Sequence, residues 1–221
     1  MSGALVVLFA VAGGALGLLL RPVVDRVTAE RAPDRPRPDR SRLVAPVAAA
    51  VFGATAWGFG WTWSLPAYLT LAGFLVVLTF IDLGTKTLPR RTVWAAGATG
   101  VGLLTAAAIA TGEPGRIVAA AGGAALTFAL LCALHVVGRG GLGYGDVRLG
   151  AVLGWYLGWQ SLSLAMTGLI AGFVVGAAIG VVLMVVGRAG RTTELPFGPA
   201  LAIGAFLVLL AAHLVGPVPL A

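Results

Sequence analysis

Apolar residues in this chain run on rather than alternate. Eight segments, at roughly 3–20, 44–62, 66–83, 92–111, 116–137, 147–160, 162–186 and 197–215, are nearly unbroken stretches of Ala, Val, Leu, Gly and Phe. A helix needs about 20 apolar residues to cross a bilayer core. Backbone in lipid must satisfy its own hydrogen bonds, which leaves helices or a closed barrel. Barrel strands alternate apolar and polar residues, so continuous runs select helices. The pattern predicts an all-α polytopic membrane bundle of about eight transmembrane helices. The sixth segment is short and is expected either to tilt or to sink only part-way.

Composition agrees. Of 221 residues, 59% are hydrophobic and 10% charged, and the mean hydropathy is +0.99. A soluble domain carries about 25% charge. Residues 1–20 lack the basic start of a secretory signal, and Arg21 follows directly, so a retained helix is expected. Arg21 to Arg42 holds seven Arg, the acids Asp25, Glu30, Asp34 and Asp39, and Pro33, Pro36 and Pro38. Such a stretch is expected to be a flexible, solvated loop.

The net charge of +7 would point to nucleic acid in a soluble protein. Here its distribution reads differently. With the N-terminus outside and eight helices alternating, 14 of the 15 basic residues fall on inner connections and only Arg116 falls outside. Cytoplasmic loops carry such an excess. Membrane lipid is therefore the expected surroundings, and nucleic acid is not an expected partner. Trp57, Trp61, Trp63, Tyr68, Trp155, Tyr156 and Trp159 fall near predicted outer helix ends and are expected to anchor there. Gly168, Gly172, Gly176 and Gly180 recur every fourth residue, giving a helix face that another helix can approach closely. The lone Cys132 allows neither an internal disulfide nor a cysteine-based zinc site.

Four of the eight acids sit in the Arg-rich stretch, and Glu113 and Glu194 sit in connections. That leaves Asp82 and Asp146, each at the inner edge of an apolar segment, where a carboxylate is costly and marks function by default. Two carboxylates brought together cannot both ionise. One can then draw a proton from water while the other hydrogen-bonds a carbonyl, which is acid–base peptide hydrolysis. Simpler roles stay open at this point. Asp146 could cap the sixth helix, and Asp82 could pair with Arg90 or Arg91. His135 and His213 lie in different apolar segments without acids at ligand spacing, and are expected to pack.

The surroundings of each aspartate narrow the choice. Asp82 ends an apolar segment and is followed by Leu88-Pro89; Gly143-Tyr144-Gly145-Asp146 is a GxGD sequence; Glu194-Leu195-Pro196-Phe197-Gly198-Pro199 opens the last segment. In that order the three elements resemble the prepilin peptidase family, or type IV leader peptidases, over about residues 66–215. The resemblance implies a six-helix GxGD membrane aspartic protease core preceded by two helices in 1–65. It implies that Asp82 and Asp146 are catalytic, and that Gly143, Tyr144, Gly145, Leu88, Pro89, Pro196, Phe197 and Gly198 support the loops or the substrate. It implies cleavage of the basic leader of prepilins or pseudopilins at the cytoplasmic face of a bacterial inner membrane, with no cofactor and no metal. Longer family members carry paired CxxC motifs in the first cytoplasmic loop, associated with zinc and N-methylation; here that loop has no cysteine. Arg90 stands where the family often has Asp or Asn. Two other readings compete: a transporter or proton-coupled channel using intramembrane acids, and a non-catalytic pilus or secretion assembly protein.

Overall fold

A computed structural model describes residues 3–32, 40–139, 141–187 and 196–215. Every regular element among them is helical. In chain order they are α1 (Gly3–Arg31), a short 3-10 turn (Arg40–Leu43), α2 (Val44–Phe59), α3 (Leu65–Thr85), α4 (Arg90–Thr111), α5 (Gly115–Val137), α6 (Tyr144–Gln160), α7 (Leu162–Val185) and α8 (Gly198–Val215). Among the described residues, six helices are long and apolar enough to cross a membrane: α1, α2 with the end of its preceding turn, α3, α4, α5 and α7. The chain is thus a multi-pass membrane helix bundle. The expected segments match these helices to within a few residues at most ends.

The largest difference is at α1, which runs on through Arg31. The charged stretch that the composition marks as loop is therefore helical over its first half. Tertiary packing overrides composition there. Val24 is buried, Val27 and Leu20 pack beside it against Val76, Val77, Phe80 and Ile81 of α3, and Arg21 Nε donates to Ser41 Oγ at 3.2 Å. Pro22 sits inside this helix. Asp34 and Asp39 lie outside the described residues, as do Arg188, Arg191, Glu194 and 216–221.

Two helices form the centre. In α3, 14 of 21 residues are buried, and in α6, 11 of 17. By contrast α7, the most apolar span, keeps most of its surface exposed, as a lipid-facing helix should. At 17 residues α6 is about 26 Å long. Its sheltered position explains why a helix of such modest apolar character is tolerated: its neighbours, rather than lipid, surround it.

Glycine sets the closest helix contacts. A Cβ at Gly123 would lie 2.8 Å from Gly158 Cα, so α5 and α6 meet backbone to backbone. Thr127 Oγ1 takes advantage of this, donating to Gly123 O at 2.9 Å and lying 3.0 Å from Gly150 O. On α7 the expected stripe packs as predicted over three of its members. Gly168 faces Leu157, Gly172 faces Leu201, and Gly176 faces Phe197, at 2.6 to 2.8 Å from where a Cβ would be.

The ring anchors divide. Trp57, Trp61 and Trp63 are exposed, but Tyr68, Tyr156 and Trp159 are buried, which corrects their expected place at the lipid interface. Tyr68 Oη donates to Tyr156 O at 2.9 Å and accepts from Gln160 Nε2 at 2.9 Å. Tyr156 Oη donates to Ala96 O at 3.2 Å. The first two bonds join α3 to α6 at the end opposite Asp82 and Asp146, and the third ties α6 to α4.

Gly123→Ala is expected to lower the melting temperature in detergent, at a cost of about 1–3 kcal/mol for the forced separation of α5 and α6. Gly102→Ala, where nothing lies within 4 Å of the new Cβ, should leave the melting temperature unchanged or raise it. Thermal unfolding of both variants, followed by circular dichroism, checks the pair.

Candidate active site at the Asp82 and Asp146 helix ends

Asp82 lies in the last turn of α3. The helix stops because Lys86 adopts a left-handed conformation (φ 56°, ψ 30°) and returns its N–H to Asp82 O at 2.7 Å. Thr85 Oγ1 donates to Ile81 O at 2.9 Å and meets Thr87 Oγ1 at 2.9 Å, which fixes the turn that follows. Asp146 lies in the first turn of α6. Gly143, with an extended backbone, is the residue before that helix, and its carbonyl accepts from Asp146 N at 3.0 Å. The N-cap position is therefore glycine, and Asp146 does not cap the helix. A negative group in a first turn is still favoured by the helix dipole.

Both carboxylates are withdrawn from solvent and lipid: Asp82 is 3% exposed and Asp146 8%. Among the described residues neither Arg90 nor Arg91 pairs with Asp82; the ion pair seen is Arg116 Nε with Glu113 Oε2 at 2.8 Å, on the opposite side of the bundle. Asp82 Oδ2 is fully buried and accepts no hydrogen bond of good geometry, with the backbone of Gly198 beside the carboxyl. A buried acid oxygen without a partner is costly, and functional sites are where such a cost is kept.

Leu88 gathers the three motifs. A Cβ at Gly145 would sit 3.1 Å from Leu88 Cβ, and one at Gly198 would sit 3.3 Å from Leu88 Cδ1. The same Cβ at Gly198 would lie 2.8 Å from Asp82 Oδ2, and one at Gly143 would lie 3.1 Å from Asp146 Oδ2. The glycines at 143, 145 and 198 thus stand where a side chain would press on a carboxylate or on Leu88. Pro89 is buried and immediately precedes α4. Pro196 and Phe197 lead into α8, and Phe197 meets Phe173 of α7 with ring centroids 5.0 Å apart. Tyr144 is half-exposed; its ring is 5.6 Å from that of His135 and 4.5 Å from the Arg148 guanidinium. The structure therefore brings together Asp82, Asp146, Leu88, Gly143, Gly145, Phe197 and Gly198, with Pro89, Tyr144 and Pro196 around them.

A family model described as the type IV leader peptidase family matches residues 69–186. The chain belongs to the type IV leader peptidase family. It is 31% identical to a prepilin leader peptidase/N-methyltransferase of Neisseria gonorrhoeae, over 78% of this chain and 58% of that protein. Proteins with the same description from Stutzerimonas stutzeri and Pseudomonas aeruginosa are 34% and 33% identical, over 77% of this chain and 58% of each relative. The chain thus spans less than two thirds of the length of these relatives. No solved structure matches it.

Sequence reasoning missed two parts of the site. His135 Nδ1 lies 2.6 Å from Leu142 O; a carbonyl only accepts, so Nδ1 donates, tying the end of α5 to the approach to α6. Phe173 beside Phe197 was also overlooked, although it is the one aromatic residue in α7. Among the described residues no three His, Cys, Asp or Glu side chains gather where they could share a metal ion.

The packing around Leu88 is open to a direct check. In a Cys132→Ala background, the pair Leu88→Cys and Gly145→Cys is expected to form an intramolecular disulfide on mild oxidation, since bridged cysteines hold their Cβ atoms about 3.5–4.5 Å apart. Mass spectrometry of the oxidised protein would show the link. Its absence would mean that the loop after α3 does not rest on the start of α6.

Proposed function

We propose that this protein is a membrane aspartic endopeptidase. It cleaves the basic leader from prepilin-like or pseudopilin-like precursors, with the catalytic machinery in residues 66–215. One observation carries the reading: two buried aspartates, on the two most buried helices, lie at helix ends that pack around the same Leu88. The relatives' description as prepilin leader peptidases supports the substrate class.

The chemistry follows from like charges held close in a desolvated place, where one carboxyl keeps its proton. The ionised carboxylate takes a proton from water, and the water oxygen attacks the scissile carbonyl carbon. The protonated carboxyl donates a hydrogen bond to the carbonyl oxygen, where negative charge develops. Collapse of the tetrahedral intermediate breaks the C–N bond, and the leaving nitrogen takes up the proton. Gly143 and Gly145 let the Asp146 carboxylate and Leu88 lie close against the start of α6. We restrict the proposal to cleavage. Residues 21–42 hold none of the cysteines associated with N-methylation in longer family members.

The site faces the cytoplasm in this proposal. The ends of α1, α3, α5 and α7 and the starts of α2, α4, α6 and α8 carry the basic connections. A precursor with a basic leader and an apolar helix would then present the junction between them at the depth of Asp82 and Asp146.

Asp82→Asn and Asp146→Asn should each reduce cleavage of such a precursor, co-reconstituted in liposomes, by at least about 100-fold, with the helical signal retained. Wild-type processing by either variant would refute the assignment. For the orientation, single cysteines replacing Glu113 and Arg91 in a Cys132→Ala background separate the two faces. A membrane-impermeant maleimide on intact cells should label the cysteine at 113 and leave the one at 91 unlabelled until the membrane is opened. The reverse labelling would invert the topology.

A further inference from the structure

The connection from α5 to α6 is mostly glycine. Gly138, Gly140, Gly141 and Gly143 fill four of its six positions, and glycine loses more conformational freedom on folding than any other residue. This loop delivers Asp146, which follows Gly143 by three residues. Its backbone bonds are all short-range. Gly138 N donates to Leu134 O at 2.8 Å, Arg139 N to Val136 O at 3.1 Å and Gly141 N to Gly138 O at 3.0 Å, while Gly143 O accepts from Asp146 N at 3.0 Å. They end α5 or begin α6, and none of them crosses from one helix to the other.

A helix start is ordinarily fixed by a Ser, Thr, Asp or Asn side chain at the position before it. Here that position is Gly143, which offers no such bond. A Cβ at Gly143 would lie 3.1 Å from Asp146 Oδ2, so a capping side chain there would press on the carboxylate. The restraint on the start of α6 has to come from another element.

His135, in the last turn of α5, is placed to supply it. Its Nδ1 donates to Leu142 O at 2.6 Å, and its ring lies 5.6 Å from that of Tyr144, tilted by 55°. The two contacts fall on either side of Gly143. Among the described residues no other side-chain hydrogen bond reaches 138–143. Leu142, whose carbonyl is held, also packs against the main core. From these contacts we propose that His135 is a positioning residue of the active site: it does for α6, from α5, what a cap at Gly143 would do, and so keeps Asp146 in register with Asp82. The inference rests on the peptidase reading and adds to it a residue that acts through the backbone rather than on the substrate.

Two substitutions separate the ring from its N–H. His135→Phe keeps an aromatic ring beside Tyr144 and removes the donor. His135→Asn keeps a donor near the position of Nδ1 and removes the ring. Both are assayed in the full chain in liposomes, below the melting temperature of each variant. His135→Phe should lower kcat for a leader-bearing precursor about tenfold or more, with KM little changed. His135→Asn should stay within about threefold of the unaltered protein.

A second readout does not depend on cleavage. In the protein carrying Cys132→Ala, Leu88→Cys and Gly145→Cys, His135→Phe should slow disulfide formation several-fold, because the start of α6 is no longer held against the loop after α3. His135→Asn should restore the rate. If His135→Phe cleaves and cross-links like the unaltered protein, or if His135→Asn loses as much as His135→Phe, the histidine N–H is not the restraint and the peptidase reading stands. If the unaltered protein cleaves no precursor, that reading falls, and the cross-linking rates alone decide whether His135 holds α6.

Discussion

The structure turns on a leucine resting on two glycines. Leu88 follows the end of α3 and contacts the start of α6 at Gly145 and the start of α8 at Gly198. Neither glycine has a side chain to hold it off. Three helix ends far apart in sequence are thereby drawn to one point, and the two aspartates come with them. A carboxylate alone in an apolar bundle would be a pure cost. In the proposed function the second carboxyl, buried by the same packing, turns that cost to use, because two like charges held close cannot both ionise.

The opposite end of the bundle makes that arrangement firm. Tyr68, Tyr156 and Gln160 join α3 to α6 through buried hydrogen bonds, and Tyr156 reaches α4. Within a low-dielectric interior such bonds are strong and expensive to break. The helices bearing Asp82 and Asp146 are thus tied together at one end and wedged by Leu88 at the other. Glycine contacts fix α5 on α6 and α7 on α8. A site built on helices pinned at both ends holds its geometry better than one on a loop.

Much of this was readable in the chain, for uneven reasons. Asp82 and Asp146 stand out because acids are rare here and a membrane segment tolerates few of them. The helices are legible because lipid demands long apolar runs. The glycines of the site are legible as a pattern, but the pattern does not say what each one lies against; only the fold reveals that Gly198 faces Asp82 and Gly143 faces Asp146. The extension of α1 was hidden because five of the eleven residues 21–31 are charged and Pro22 is among the rest, while the residues that matter, Val24 and Val27, are a minority on one face. Tyr68, Tyr156 and Trp159 were misplaced because a ring near a helix end reads the same whether it faces lipid or a neighbouring helix.

The family match and the site do not share the same boundaries. The matched stretch, residues 69–186, contains both aspartates but neither α1 nor α8. Yet a Cβ at Gly198, at the start of α8, would lie 2.8 Å from Asp82 Oδ2, and Phe197 closes one wall of a pocket beside Asp146. From the other side, Thr28 of α1 contacts Gly84, two residues past Asp82, where a Cβ would lie 2.7 Å from Thr28 Cγ2. The environment of Asp82 is therefore made by helices at both ends of the chain. What looks like peripheral sequence packs against the helix end that carries Asp82.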